Sequence, residues 1–154
     1  MPATRTGTDT VTALLATADD LLTEDLDGDG PLTPAGRDRG AAYALRIALE
    51  AAVDAALAAE ETGLGGLRSM RAKLLCLHHY AGPAQARRAH ALWNRLSAAC
   101  KYHHDELGPT HAQVHTWRAA VGALVTELTT SGTAVEFPQQ KGGGIPLPAD
   151  APTC

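Results

Sequence analysis

Residues 33–61 read TPAGRDRGAAYALRIALEAAVDAALAAEE, and this stretch decides the fold. Thr33 is placed to cap a helix whose first position is Pro34, where the missing N–H costs nothing and the fixed φ already suits the helix. Beyond it Leu45, Leu49, Ala52, Val53 and Ala56 recur at helical intervals and define one apolar stripe. No breaker intervenes before Gly63, Gly65 and Gly66, so the helix is expected to run to about Glu61. A long helix with so much alanine on its stripe lets neighbouring helices approach closely.

The flanking sequence supplies those neighbours. On the N-terminal side the turn-rich DLDGDGP of residues 25–31 closes a helix predicted over Asp9–Glu24, with Val11, Leu14, Leu15, Ala18, Leu21 and Leu22 on one face. On the C-terminal side a third helix is predicted over Leu67–Tyr80, carrying Leu67, Met70, Leu74 and Leu77 on one face. Gly82-Pro83 separates it from a fourth, predicted over Ala84–Leu107 and closed by Gly108-Pro109. Thr110 with Gln113 three residues on is a capping box, and it opens a fifth helix bearing Val114, Trp117, Val121, Leu124, Val125 and Leu128. Short connections between long amphipathic helices make them antiparallel neighbours. The expected architecture is an all-α, up-and-down bundle of about five helices over residues 8–130. From residue 131 the periodicity stops, and the Gly/Pro-rich stretch 131–154 reads as a flexible tail.

Composition agrees and excludes the alternatives. Of 154 residues 30 are Ala and 4% are aromatic, a balance that favours helices and starves strands, so all-β folds are out. No apolar run approaches the length of a membrane span, and the first ten residues, MPATRTGTDT, lack the apolar stretch of a secretory signal, which makes the cytoplasm the expected compartment. Three cysteines, at positions 76, 100 and 154, have no paired spacing, which argues against a disulfide scaffold or a zinc ribbon.

Charge is distributed unevenly beneath a net of −4. Residues 1–61 hold 4 basic and 12 acidic side chains, whereas residues 62–104 hold Arg68, Arg71, Lys73, Arg87, Arg88, Arg95 and Lys101 and no acid at all. On the fourth helix Arg87, Arg88, Arg95 and Lys101 project away from the apolar stripe. Together with Arg68 and Arg71 they form a candidate patch for anions or nucleic acid.

Three motifs carry candidate chemistry. Asp25, Asp27 and Asp29 followed by Gly30 and Leu32 resemble the opening of an EF-hand loop, which implies calcium, but position 12 of that loop is Gly36 where a bidentate glutamate would stand. Among seven histidines, His111 and His115 share a helix face at i, i+4, and His103 with Glu106 stands just before them, a set that would suit zinc. His103 also falls in the stripe of Leu92, Leu96 and Ala99 and is expected to be buried. His111 and His115 lie off their own stripe beside Arg118, whose charge opposes a cation.

The third motif is Arg71 and His78, separated by AKLLCL on one helix. It resembles the HEPN superfamily, small helical bundles that often dimerise and include metal-independent RNases with an arginine a few residues ahead of a histidine. That resemblance implies RNA cleavage with Arg71, His78, Arg95 and His103 as the residues to test. Here Ala72 replaces the usual polar residue after the arginine, and Arg95 and His103 are spaced one residue too widely. Separately, LWNRLSAACKYHHDELGPTHAQVHTW of residues 92–117 is similar to small all-helical proteins of actinomycete bacteria, a resemblance that implies no activity.

These observations together predict a non-catalytic cytoplasmic interaction or regulatory protein, homodimeric through its basic hairpin and acidic helices. The alternatives are an HEPN-like RNA-binding protein or RNase, and a histidine-rich metal-binding bundle.

Overall fold

The computed structural model describes residues 3–23, 30–60, 63–101 and 107–131. Among them are five α-helices and no strand: α1 (Ala3–Thr23), α2 (Pro34–Glu60), α3 (Met70–Tyr80), α4 (Pro83–Cys100) and α5 (His111–Ser131), with a 3-10 turn at Leu64–Gly66. The bundle read from the sequence is the fold.

Local chemistry sets the helix starts. The Thr33 hydroxyl accepts the Gly36 N–H at 3.1 Å, and the Thr33 carbonyl accepts the Arg37 N–H at 2.9 Å, so Thr33 caps α2 with Pro34 at its first position. At α5 the capping box is reciprocal. Thr110 N–H donates to Gln113 Oε1 at 2.9 Å, and Gln113 N–H donates to Thr110 Oγ1 at 3.3 Å. Between α3 and α4 the chain reverses through Gly82, whose φ of 92° suits only glycine, and Pro83 then opens α4.

α2 lies at the centre and packs against all four other helices, which meet one another as α1–α5, α5–α4 and α4–α3. Its buried positions include Ala41, Ala42, Ala44, Leu45, Ala48, Leu49, Ala52, Val53 and Leu57, an arc much wider than a single stripe. A helix surrounded on most sides needs small residues where backbones approach, and alanine provides them. Leu45, Leu49, Val53 and Leu57 are fully enclosed beside Leu77, Leu96, Val114, Val121 and Leu124. Each such leucine stabilises the fold by about 1.5–3 kcal/mol through removal from water.

Three boundaries differ from the sequence expectation. α1 begins at Ala3 rather than Asp9: Thr and Gly are weak helix formers, but the turn at Gly7 lies close against Ala55 of α2, a tertiary contact that overrides local propensity. Leu67 lies outside α3, in extended backbone that follows the 3-10 turn. α4 stops at Cys100 rather than Leu107: the Lys101 amide closes the last turn onto Ala98 O at 3.2 Å, and Lys101 itself is extended. No described helix is long and apolar enough to cross a membrane. Residues 24–29, 102–106 and 132–154 lie outside the described set, so Asp25, Asp27, Asp29, His103, Glu106 and the expected tail beyond Ser131 receive no structural account.

Candidate functional site

The α3–α4 hairpin carries a groove of about 520 Å³. Arg71, Leu74, Leu75 and His78 line it from α3, at intervals that keep them on one face. Arg87, His90, Trp93 and Asn94 line it from α4 in the same rhythm. Thus Arg71 and His78 do come together, and the structure adds His90 and Trp93, which sequence reasoning had left out. The signal for them was present: Arg87, His90 and Trp93 or Asn94 repeat every three to four residues, as Arg71, Leu74 or Leu75 and His78 do.

The groove has an apolar floor and a basic rim. Leu75, 68% exposed, contributes apolar surface to its lining beside Trp93. Trp93 packs against the core and is held from behind by Arg46 of α2, whose guanidinium carbon lies 4.6 Å from the ring centroid. The Asn94 side-chain amide lies 3.3 Å from His90 Nε2 on the same wall.

Pairing elsewhere determines which charges face outward. Of the acids described on α1 and α2, Asp19 binds Arg118, Asp38 binds His111, and Glu50 and Asp54 both bind Lys73. Lys73 is the one residue of the basic block that turns inward, 5% exposed at the side chain, between Met70 and Leu77 on the buried stripe. Burial alone would lower its pKa, but hydrogen bonds and charge from Asp54 and Glu50 outweigh that and hold it raised. Arg88 is exposed yet paired with Glu127 of α5, which removes it from the free patch predicted from the sequence. Arg68, Arg71, Arg87, Arg95 and Lys101 remain exposed, without an ion pair among the described residues.

The candidate sets are only partly assembled. Arg95 and Lys101 line a different cleft of about 300 Å³ at the far end of α4, with Arg39, Gln113 and Trp117, so Arg95 does not join Arg71 and His78. His111 and His115 do meet, with Nε2 atoms 3.0 Å apart. No group of three or more His, Cys, Asp or Glu side chains among the described residues is arranged to hold a metal. Arg118 does not bear on the imidazoles as the sequence suggested, because its guanidinium is turned onto Asp19. Gly36, at the last position of the EF-hand-like loop, is engaged in the α2 cap.

No protein-family model matches the chain, and no curated protein or solved structure matches it significantly. Function is therefore read from the surface itself.

Proposed function

We propose that this chain is a non-catalytic interaction protein whose α3–α4 face binds an acidic segment of a partner protein. The observation that carries the reading is the imbalance of pairing. Four acids of α1 and α2 are engaged within the chain, while Arg71 and Arg87, without an ion pair among the described residues, flank a groove lined by Leu75 and Trp93. Unpaired arginines prefer carboxylates in a bidentate arrangement, and exposed aliphatic and aromatic floor favours a segment that also carries apolar side chains. A partner protein supplies both. Self-association has less to draw on, since Asp9, Asp20 and Glu60 are the unpaired acids among the described residues of α1 and α2. The reading places the protein in the cytoplasm, where thiols such as Cys76 and Cys100 stay reduced.

The test is fluorescence anisotropy with two labelled probes, a Glu- and Leu-rich helical peptide and a single-stranded RNA of matched length. Saturable peptide binding that weakens tenfold or more, on the order of 1.4 kcal/mol, in the double variant Arg71→Glu, Arg87→Glu supports the reading. Binding to RNA with none to the peptide overturns it. Light scattering at low and high salt reports self-association in the same samples.

A second reading rests on one observation, that Arg71 and His78 line the same groove. In it the groove is an RNA-directed nuclease site of HEPN-like kind, and RNA cleavage lost in His78→Ala would favour it over the first.

A further inference from the structure

The histidine pair at the start of α5 has a geometry that the α3–α4 face does not use. His111 and His115 sit one turn apart, their rings edge-to-face with centroids 4.5 Å apart, and their Nε2 atoms are 3.0 Å from each other. The second nitrogen of His111, Nδ1, lies 2.7 Å from Asp38 Oδ1 of α2. Asp38 is nearly enclosed, with a side chain 10% exposed, while the His111 ring is 45% exposed.

The Asp38 contact places one proton. An ionised carboxylate only accepts, so His111 Nδ1 carries hydrogen and donates it to Asp38. With His111 neutral, its Nε2 presents a lone pair toward His115, and a hydrogen on His115 Nε2 closes the 3.0 Å contact. A carboxylate behind one imidazole nitrogen, with the other nitrogen free, is how proteins orient a histidine toward a metal and raise its basicity.

Spacing agrees. At metal–nitrogen distances of about 2.0–2.1 Å, two nitrogens bound at a right angle lie about 2.9 Å apart, and at the tetrahedral angle about 3.4 Å. The observed 3.0 Å falls between the two. The local charge permits it as well, because Arg118 is neutralised by two 2.7 Å hydrogen bonds to Asp19.

We propose that His111 and His115 form a two-histidine site for a late first-row divalent cation of the zinc, nickel or copper class, with Asp38 as the positioning residue and water in the remaining coordination places. Binding requires His115 to carry its proton on Nδ1 instead of Nε2. The ring stays neutral, both Nε2 lone pairs face the ion, and Asp38 keeps its bond to His111.

The experiment is calorimetric titration of the full chain with Zn²⁺ alone, paired with nitrogen-15 imidazole spectra. Expected are one ion per chain at this pair, loss of that ion in His115→Ala, retention in His78→Ala, and a weakening of about 10–100-fold in Asp38→Asn. The spectra should show the His115 proton moving from Nε2 to Nδ1 as zinc is added. His115 is exposed, so its variant should fold, and it keeps the test decisive if Asp38→Asn does not. No heat of binding overturns the proposal, as does zinc binding that survives His115→Ala unchanged or leaves the His115 tautomer where it was.

Discussion

Arg118 of α5 clasps Asp19 of α1 through two parallel hydrogen bonds, Nε to Oδ1 and Nη2 to Oδ2, each 2.7 Å, across 99 positions of sequence. The fork of the guanidinium matches the carboxylate, which makes this the strongest kind of ion pair. Gly122, one turn on, leaves room for it: a Cβ there would stand 2.7 Å from Arg118 Nη1.

The clasp is partly solvated, with side chains 26% and 47% exposed, so screening holds its contribution to about 1 kcal/mol. Arg118→Ala and Asp19→Ala should each lower the thermal midpoint by about 2–4 °C, and the double variant should be little worse than either. A double-mutant cycle on urea unfolding checks this. Strictly additive losses would mean that the two residues stabilise the bundle separately.

Lys73 provides the pH-dependent prediction. Its ammonium lies 3.0 Å from Glu50 Oε1 and 2.9–3.0 Å from the two Asp54 oxygens. Because its folded pKa is raised above the ordinary 10.5, its stabilisation is complete below that value and is lost as pH rises through the folded one. Lys73→Met removes the charge and leaves two carboxylates facing each other, at a cost of about 2–3 kcal/mol. This is less than for a fully enclosed pair, since both carboxylates keep access to water. The wild-type advantage should be steady from pH 7 to 9 and shrink above about 10.5. Urea unfolding at pH 8 and pH 11 measures both ends, and an equal advantage at the two would show that packing of the stem, not the charge, is what matters.

Sequence made the local determinants legible and hid those that cross the bundle. Thr33 with Pro34, and Thr110 with Gln113, announce their helix starts because every partner lies within three residues. Leu45, Leu49 and Val53, or Val121, Leu124 and Leu128, mark buried faces by spacing alone. The end of α4 was misjudged because Gly108-Pro109 is the visible breaker, whereas the helix closes at Lys101 with no glycine or proline to announce it. Lys73 looked like one more surface cation, since the carboxylates that receive it lie 23 and 19 residues earlier. Asp38, the partner of His111, is 73 residues away, and Glu127, the partner of Arg88, is 39. What the sequence did carry was the acid-free block itself. Structure then showed which of its members remain unpaired.

Cys100 should be a slow thiol. It is partly enclosed near Arg46 of α2, and burial raises its pKa against the opposing charge and hydrogen bond of the Arg46 guanidinium. The thiolate is the nucleophile, so a raised pKa keeps the sulfur protonated and unreactive at neutral pH. Alkylation by iodoacetamide at pH 8, followed by peptide mass spectrometry, should run several-fold slower at Cys100 in the native protein than in urea. Equal rates in the two conditions would place this thiol in open solvent.

Arg71 and Trp93 allow binding and folding to be separated on one face. Arg71 and Arg87 are exposed and have no ion-pair partner among the described residues, so reversing both to Glu removes no native contact. The change takes the net charge from −4 to −8 and should move stability by only about 0.5 kcal/mol. Trp93 is different, because it packs on the core and supports Arg46, whose Nε already lacks a hydrogen-bond partner. Trp93→Ala should cost about 2–4 kcal/mol, somewhat below the loss for a fully enclosed tryptophan. If the groove binds acidic segments, the Arg71→Glu, Arg87→Glu protein will unfold at the wild-type urea midpoint and bind the peptide at least tenfold more weakly. Its residual affinity will also respond less steeply to salt, since fewer charges meet. A double variant that unfolds early would instead make these arginines structural, and the groove would lose its claim as a binding surface.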